Sequence, residues 1–251
     1  MKRILLSVLA FMLLVSPVLA DPVTLVDDLS EEISEPYDPE DPSAGTFFYS
    51  CRYPRADESS EGSQGINAFY TELFNYETGF TMPMIREAFE GFDSSTTVTY
   101  TVTCNNDEYF SVLVRKEEIN PDITRVSWTG NVFSRKDGNN GNTYSLPKLL
   151  GILDAAENDE TVQEYKTRRA DELVREMIWD RISENEDGID YNGLTEEALS
   201  HIFFPEEDFY LDENGDPVFY LQPSDIYYDE IPEGTGLLTF AIPLEDILDE
   251  L

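Results

Sequence analysis

Hydrophobic and polar residues alternate along several stretches of the chain, and this two-residue period predicts β-strands. TTVTYTVT (residues 96–103) and EYFSVLVR (residues 108–115) alternate β-branched or aromatic residues with polar ones. The turn-forming sequence NND lies between them, so the pair predicts a hairpin. Residues 46–55 and 123–134 have the same character. The first half of the chain therefore predicts a meander of antiparallel strands.

The last third of the chain predicts a second group of strands. DFYL (residues 208–211) and VFYL (residues 218–221) flank the turn sequence DENGDP, which predicts another hairpin. LLTFAI (residues 237–242) is apolar except for Thr239 and is typical of a buried strand. A short helix is predicted after Pro243.

A period near 3.6 residues predicts helices between these two groups of strands. The longest, residues 158–182, repeats apolar residues among charged ones and predicts a long amphipathic helix. Shorter helices are predicted at residues 66–75, 83–92, 147–153 and 195–203. Strands, helices and strands follow one another in blocks. This order predicts an α+β fold in which an antiparallel sheet packs with several helices, one of them long and amphipathic.

The first twenty residues have the organisation of a secretory signal peptide. Lys2 and Arg3 precede an apolar run, and Val18-Leu19-Ala20 provides a small-residue cleavage site before Asp21. The run is short for a membrane span and is interrupted by Ser16-Pro17. We therefore expect a secreted, extracytoplasmic protein that is not inserted in the membrane after cleavage. Residues 21–45 are acidic and rich in proline, which predicts a disordered leader before a single domain at residues 46–251.

The chain is strongly acidic, with 52 Asp and Glu residues, 16 Lys and Arg residues and a net charge of −36. Cleavage after Ala20 would remove two basic residues and leave −38. Such a charge repels nucleic acid, which is bound through its phosphates, and attracts cationic partners. An alternative is that the acidity serves only to keep an exported protein soluble.

Cys51 and Cys104 are the only cysteines. In an oxidising compartment an isolated pair predicts a disulfide, with two free thiols or a shared metal site as alternatives. The chain has no Cys-x-x-Cys spacing, and His201 is its only histidine, so we expect no zinc site and no cofactor.

Catalytic motifs are missing from the sequence. It has no nucleophile-elbow motif and no phosphate-binding glycine loop. Paired carboxylates, as in glycoside hydrolases, cannot be recognised among 52 acids. We therefore expect a protein that is not an enzyme, with a carboxylate-dependent hydrolase as the weakest alternative.

Aromatic residues crowd the last third of the chain beside acids. Adjacent residues of a strand point to opposite faces, so half of the aromatics in DFYL and VFYL can be displayed to a partner. Tyrosine beside acids suits the binding of cationic proteins or sugars. The alternative is a sheet covered on both faces. The candidate binding residues are Tyr210, Tyr220, Tyr227, Tyr228, Asp229 and Glu230.

Several segments, in their order and spacing, resemble the RsiV-like extracytoplasmic domain. They are FYSCRYPR, GINAFYTELF, TYTVTCNNDEYFSVLVR, NTYSLPKLLGI, DFYLDENGDPVFYLQPSDI and GTGLLTFAIPLEDIL. Relatives include the outer domain of lysozyme-sensing anti-sigma factors and the amino-terminal domain of some secreted peptidoglycan deacetylases. The resemblance covers residues 46–251 and implies an α+β domain of the bacterial cell envelope.

The resemblance also implies a function, with limits. In the anti-sigma relatives this domain binds lysozyme, a cationic protein. Residues 122–134 depart from the family's usual stretch, which contains His and Gly. Deacetylation and signalling across a membrane belong to parts of the relatives that this sequence does not match. We expect an exported, non-enzymatic module that binds a cationic protein such as lysozyme, with a peptidoglycan or glycan ligand as the alternative.

Overall fold

The computed structural model describes residues 21–135, 143–153, 160–185, 188–227, 231 and 235–251. Strands and helices cluster in the order predicted for an α+β protein. In chain order they are β1 Leu29–Pro36, β2 Thr46–Tyr53, α1 Ser63–Tyr76, a π-helical turn Glu77–Thr81, α2 Met82–Ala88, β3 Ser94–Asn105, β4 Tyr109–Asn120, β5 Ile123–Ser134, α3 Leu146–Leu149, α4 Glu160–Glu184, α5 Glu196–Ile202, β6 Phe209–Leu211, β7 Pro217–Leu221, α6 Pro223–Ile226, β8 Leu238–Ala241 and α7 Leu244–Glu250.

The first five strands form one sheet in the order β1-β2-β3-β4-β5. The α+β class and the β3–β4–β5 meander are confirmed. The sheet is mixed rather than wholly antiparallel, because β2 and β3 run parallel. The reason is the connection between these two strands. The helical run α1–α2 carries the chain from the end of β2 back to the start of β3, as a crossover between parallel strands must.

The acidic leader is ordered, so the prediction of a disordered segment at residues 21–45 is wrong. β1 pairs with β2 over its whole length, from Leu29 opposite Tyr53 to Pro36 opposite Thr46. Along β1 the apolar Leu29 and Ile33 are half-buried, while the glutamates between them lie at the surface. An edge strand gains its stability from its neighbour and tolerates charge on its outer side, which composition alone does not reveal.

The last three strands form a separate antiparallel sheet in the order β6-β7-β8. The predicted hairpin at residues 208–221 is confirmed by the pairing of Phe209 with Phe219 and of Leu211 with Pro217. Helix α4 has 25 residues and packs with this sheet. The side chains of α4 in the core lie along one side of the helix and are Ala170, Leu173, Val174, Ile178 and Ile182. Among the described residues, no helix is both long enough and apolar enough to cross a bilayer.

Two hydrophobic cores lie on opposite faces of the five-stranded sheet. The helix-side core holds Tyr49, Tyr70 and Phe110 between the sheet and the run α1–α2. The C-terminal core includes Leu173 and Phe219 and joins α4 to the second sheet. A register shift in β3 between Val102 and Cys104 accompanies the change of core, since Val102 packs in the first and Cys104 in the second.

The predicted disulfide is wrong, because Cys51 and Cys104 are separate free thiols. Cys51 lies opposite Val98 on β3, and Cys104 lies further along the same strand at a distance of about 20 Å, at about 3.3 Å per residue. A disulfide needs Cα atoms within about 7 Å of each other. Burial raises the pKa of Cys51 to about 12 and that of Cys104 to about 11. Both are therefore unreactive core residues.

Candidate functional site

One of the predicted binding residues, Tyr220, has a structural role. Its side chain is buried, and its hydroxyl accepts a hydrogen bond from the N–H of Gly130 at 2.9 Å. Gln222 acts beside it: its amide accepts from the N–H of Trp128 at 3.1 Å and donates to the carbonyl of Trp128 at 2.7 Å. These bonds complete the outer edge of β5, which would otherwise expose unpaired backbone groups. The prediction that Tyr220 contacts a partner is therefore wrong.

The other predicted residues do not gather into one exposed surface in the described part of the chain. Tyr210 is half-buried and stacks on Tyr220, with ring centroids 6.4 Å apart. Burial, followed by the nearby Asp212, raises the pKa of Tyr210. Tyr227 is half-buried and donates to the carbonyl of Asp190 at 2.5 Å. Tyr228, Asp229 and Glu230 lie outside the described residues.

The reason lies in how the second sheet is covered. Every residue of β7 is buried, because other parts of the protein cover both faces of this strand. Phe219 packs in the C-terminal core, and Tyr220 reaches β5. The alternation of a strand predicts which residues share a face, but it does not tell whether the second face meets water or another sheet. The alternative of a sheet covered on both faces is the correct one for β7.

A different candidate site lies on the exposed side of α4, and we call it the α4 groove. It is an open depression of about 420 Å³ between α4 and the turn that precedes β6. Its charged lining residues are the acids Glu164, Asp171, Glu172 and Glu206 and the bases Arg168 and Arg175. The acids exceed the bases, so the groove is suited to a cation.

The two arginines neutralise only part of this negative charge. Arg168 approaches Glu172 at 3.8 Å and Arg175 approaches Asp171 at 3.7 Å, both longer than a hydrogen bond. Arg175 also faces the carbonyl of Phe203, at 3.4 Å. The carboxylates of Glu164 and Glu206 have no hydrogen-bond or ion-pair partner in the described part of the chain.

Asp171 is the most perturbed acid of the α4 groove. Its side chain is 15 % exposed, and its Oδ1 atom is buried without a hydrogen-bond partner among the described residues. Burial, and then the charge of Glu206, raise the pKa of Asp171 to about 6, although Arg175 opposes the shift. A buried acceptor without a partner costs about 1–3 kcal/mol. The open groove beside Asp171 leaves room for a guanidinium or ammonium group.

Part of the α4 groove could have been found in the sequence. Glu164, Arg168, Asp171, Glu172 and Arg175 follow one another at intervals that place them along one side of a helix. The charges of a long surface helix are usually solvated, so this signal alone does not predict a site. The contribution of Glu206 depends on tertiary structure.

Asp208 and Asp225 are two further acids with a raised pKa, and neither lines the α4 groove. Burial also raises the pKa of Asp208 to about 6. Asp208 accepts from the N–H of Phe204 at 2.7 Å and is not among the residues that line the α4 groove. Burial also raises the pKa of Asp225, and the charge of Asp225 contributes to the shift of Asp208, so these two acids interact with each other and not with Asp171. No three Asp, Glu, His or Cys side chains of the described residues form a group that could hold a metal ion.

We expect Asp171→Asn to stabilise the protein at pH 7.5 and to have little effect at pH 4. An unperturbed aspartate has a pKa of 3.8, whereas the pKa of Asp171 in the folded protein is about 6. The folded state therefore binds the proton of Asp171 more tightly than the unfolded state does. Its ionisation therefore lowers the free energy of unfolding as the pH rises from about 4 to about 6. Removing this ionisation should add about 1–2 kcal/mol above pH 6, measured by urea unfolding.

Asp180→Asn is the matched control for Asp171→Asn, since Asp180 is an exposed acid of the same helix. We expect it to change the free energy of unfolding by less than about 0.5 kcal/mol at either pH. A loss of stability at pH 7.5 in Asp171→Asn would show that the carboxylate is needed by its neighbours and would contradict the assignment.

The fold and the α4 groove describe an α+β protein with a helix-backed mixed sheet, a second small sheet and an acidic surface. Two solved structures share this fold. A member of the DUF3298 family from Bacteroides fragilis is 14% identical, with a TM-score of 0.52, and the match covers 90% of this chain and 92% of that chain. A DUF3298 family protein from Pseudomonas aeruginosa PAO1 is 10% identical, with a TM-score of 0.53, and the match covers 91% and 94%.

The likeness to these structures is one of fold. No protein-family model matches the chain. No curated protein sequence matches it either. The structural neighbours of this chain are thus DUF3298 family proteins, at identities that establish the architecture alone.

Proposed function

We propose that the chain is an exported, non-enzymatic binding module of the bacterial cell envelope, and that it binds a cationic protein. The observation that carries the proposal is the α4 groove, where acids exceed bases and one carboxylate oxygen of Asp171 is buried without a partner. The net charge of −36 adds long-range attraction for a positive protein. Lysozyme is the first candidate, since the RsiV-like resemblance implies it.

Export rests on residues 1–20, whose sequence has the organisation of a signal peptide. The two free cysteines give no support for an oxidising compartment, so the disulfide is not part of the proposal. Membership of the RsiV-like family is likewise proposed from the order and spacing of the segments that carry the resemblance. The DUF3298 family structures support the fold that this membership requires.

Arginine and lysine side chains of a partner would occupy the α4 groove. A guanidinium can donate two parallel hydrogen bonds to one carboxylate, which suits the unpaired Glu164 and Glu206. The same field repels phosphates, so nucleic acid is a poor ligand. We therefore expect binding that depends on salt.

Isothermal titration calorimetry at low salt should detect binding of lysozyme. The variant Glu164→Gln with Glu206→Gln should weaken the affinity about tenfold, because two unpaired charges of the groove are removed. The matched control is Asp107→Asn with Glu213→Gln, which changes the net charge equally at two exposed turn positions. We expect this control to weaken binding by less than about twofold.

Three results would overturn the proposal in different ways. Absence of heat with lysozyme and with other basic proteins at low salt would remove the function. An equal loss of lysozyme affinity in the two double variants would show that only the net charge matters and that the α4 groove is not the binding site. Retention on purified peptidoglycan that survives high salt would replace a cationic protein by a glycan as the ligand, since stacking is screened little by salt.

A further inference from the structure

The outer side of the helical run from α1 to α2 exposes three large apolar side chains. Tyr76, Phe80 and Met84 are 56%, 53% and 52% exposed. They are four residues apart, and the rings of Tyr76 and Phe80 lie 5.3 Å apart between centroids. Single exposed apolar residues are common on protein surfaces, whereas contiguous patches mark interaction sites. We call these three residues the helix stripe.

The inner side of the same run buries a carboxylate instead. Glu77 is buried, its carboxylate accepts from the hydroxyl of Tyr49 at 2.5 Å, and Lys116 lies 3.6 Å from it. Glu77 begins the π-helical turn Glu77–Thr81, and such turns occur frequently at functional sites. The inner side thus holds one acid among apolar core residues such as Ile66 and Tyr70, while two aromatic rings lie outside. The buried Glu77 contacts hold the run in the orientation that displays the helix stripe.

Acidic residues lie at both ends of the helix stripe. Glu72 is four residues before Tyr76, and Glu87 is three residues after Met84. An open groove of about 690 Å³ lies along α1 beside Glu72, and its lining also includes Glu58, Asn67 and Asn75.

The one basic residue of the run is already engaged. Arg86 pairs with Glu35, and its guanidinium lies 5.8 Å from the centre of the Phe47 ring. The surface around the helix stripe therefore combines exposed apolar side chains with unopposed negative charge.

We propose that the helix stripe is a docking surface for a cationic protein, and that it receives an apolar side chain flanked by lysine or arginine. This inference rests on the proposed function and adds a second contact surface to the α4 groove. Tyrosine, phenylalanine and methionine are the side chains that interfaces bury preferentially. A second copy of this chain is a poor occupant, because two molecules of net charge −36 repel each other. An anionic lipid surface is excluded for the same reason.

Two synthetic peptides of equal length and equal positive charge test this docking. One contains only lysine, glycine and serine, and the other replaces three of the serines with leucine or phenylalanine. We expect the wild-type chain to bind the apolar peptide about tenfold more tightly, as measured by fluorescence anisotropy. Salt should weaken both peptides while leaving their ratio nearly unchanged, because burial of apolar surface is not screened.

The variant Tyr76→Ser with Phe80→Ser should bring this ratio to within about twofold of unity. Its matched control is Phe92→Ser with Phe204→Ser, which removes two aromatic side chains of similar exposure elsewhere. The control should keep the tenfold ratio, and both variants should keep the thermal midpoint of the wild type, since the rings are more than half exposed.

The failures are distinguishable. Binding of both peptides with equal affinity to the wild type would overturn the docking surface and leave the proposed function intact. An equal loss in the Phe92/Phe204 control would show that any exposed aromatic serves, and would also overturn it. Failure of both peptides and of lysozyme to bind at low salt would overturn the proposed function and, with it, this inference.

Discussion

A chain that starts at Thr46 is expected to lose at least about 4 kcal/mol of unfolding free energy relative to one that starts at Asp21. The shorter chain lacks β1, which pairs with β2 along its whole length. It also lacks Val23, whose backbone N–H and carbonyl bond to the side chain of Asn105 at 2.8 Å and 2.9 Å. Finally, it leaves the buried Arg135 without the carbonyl of Asp21, to which it donates at 2.5 Å.

Urea unfolding of the two chains, followed by tryptophan fluorescence, measures this loss. Failure of the shorter chain to fold is the extreme form of the same result. Two substitutions in the longer chain keep the test quantitative. Val23→Ala, at a position 3% exposed, should cost about 1–3 kcal/mol, and Val26→Ala, at a position 41% exposed, should cost less than about 0.5 kcal/mol. Equal unfolding midpoints for both chain lengths would mean that the leader is dispensable, as a disordered segment would be.

Gly130→Ala is expected to cost about 3 kcal/mol or more. A β-carbon at Gly130 would lie 1.9 Å from the carbonyl oxygen of Phe209 and 2.7 Å from its carbon, so the backbones of β5 and β6 would have to separate. Separation would also break the hydrogen bond from Gly130 to Tyr220. The close contact between the two sheets at this point is possible because Gly130 has no side chain.

Gly79→Ala provides the control for Gly130→Ala. Gly79 lies in the π-helical turn, and a β-carbon there would meet no atom within 4 Å. We expect its free energy of unfolding to change by less than about 1 kcal/mol, with alanine favoured by its smaller loss of chain entropy. The docking of β6 against β5 would be contradicted if Gly130→Ala unfolded at the same urea concentration as Gly79→Ala.

The strands and hairpins of this protein could be predicted because their signals are local. The β3–β4 and β6–β7 hairpins follow from alternation on both sides of a turn, and both form. β1 could not be predicted in this way, because its acidic outer positions are typical of a disordered leader and its order comes from pairing with β2. The parallel pairing of β2 with β3 also escaped prediction, since the path of a crossover helix is a property of the whole fold.

The candidate site was harder to predict than the fold. Exposed tyrosines were expected in the C-terminal hairpin, yet Tyr220 is buried against β5. The α4 groove joins residues of one helix to Glu206, and the helix stripe depends on which side of the α1–α2 run buries Glu77. Each of these outcomes is set by contacts between segments that are distant in the chain.

Composition and periodicity alone determined the excess of acids, the placement of most strands and helices, and the α+β class, because charge and the two repeat periods are properties of neighbouring residues. Tertiary structure decided the state of the two cysteines, the order of the leader and the surfaces available to a partner. Cys51 and Cys104 pack in different cores, and β1 and β7 each depend on a neighbour that their own residues do not specify. The physical reason is that burial is a relation between distant segments, and a strand or helix has the same local pattern whichever neighbour covers it.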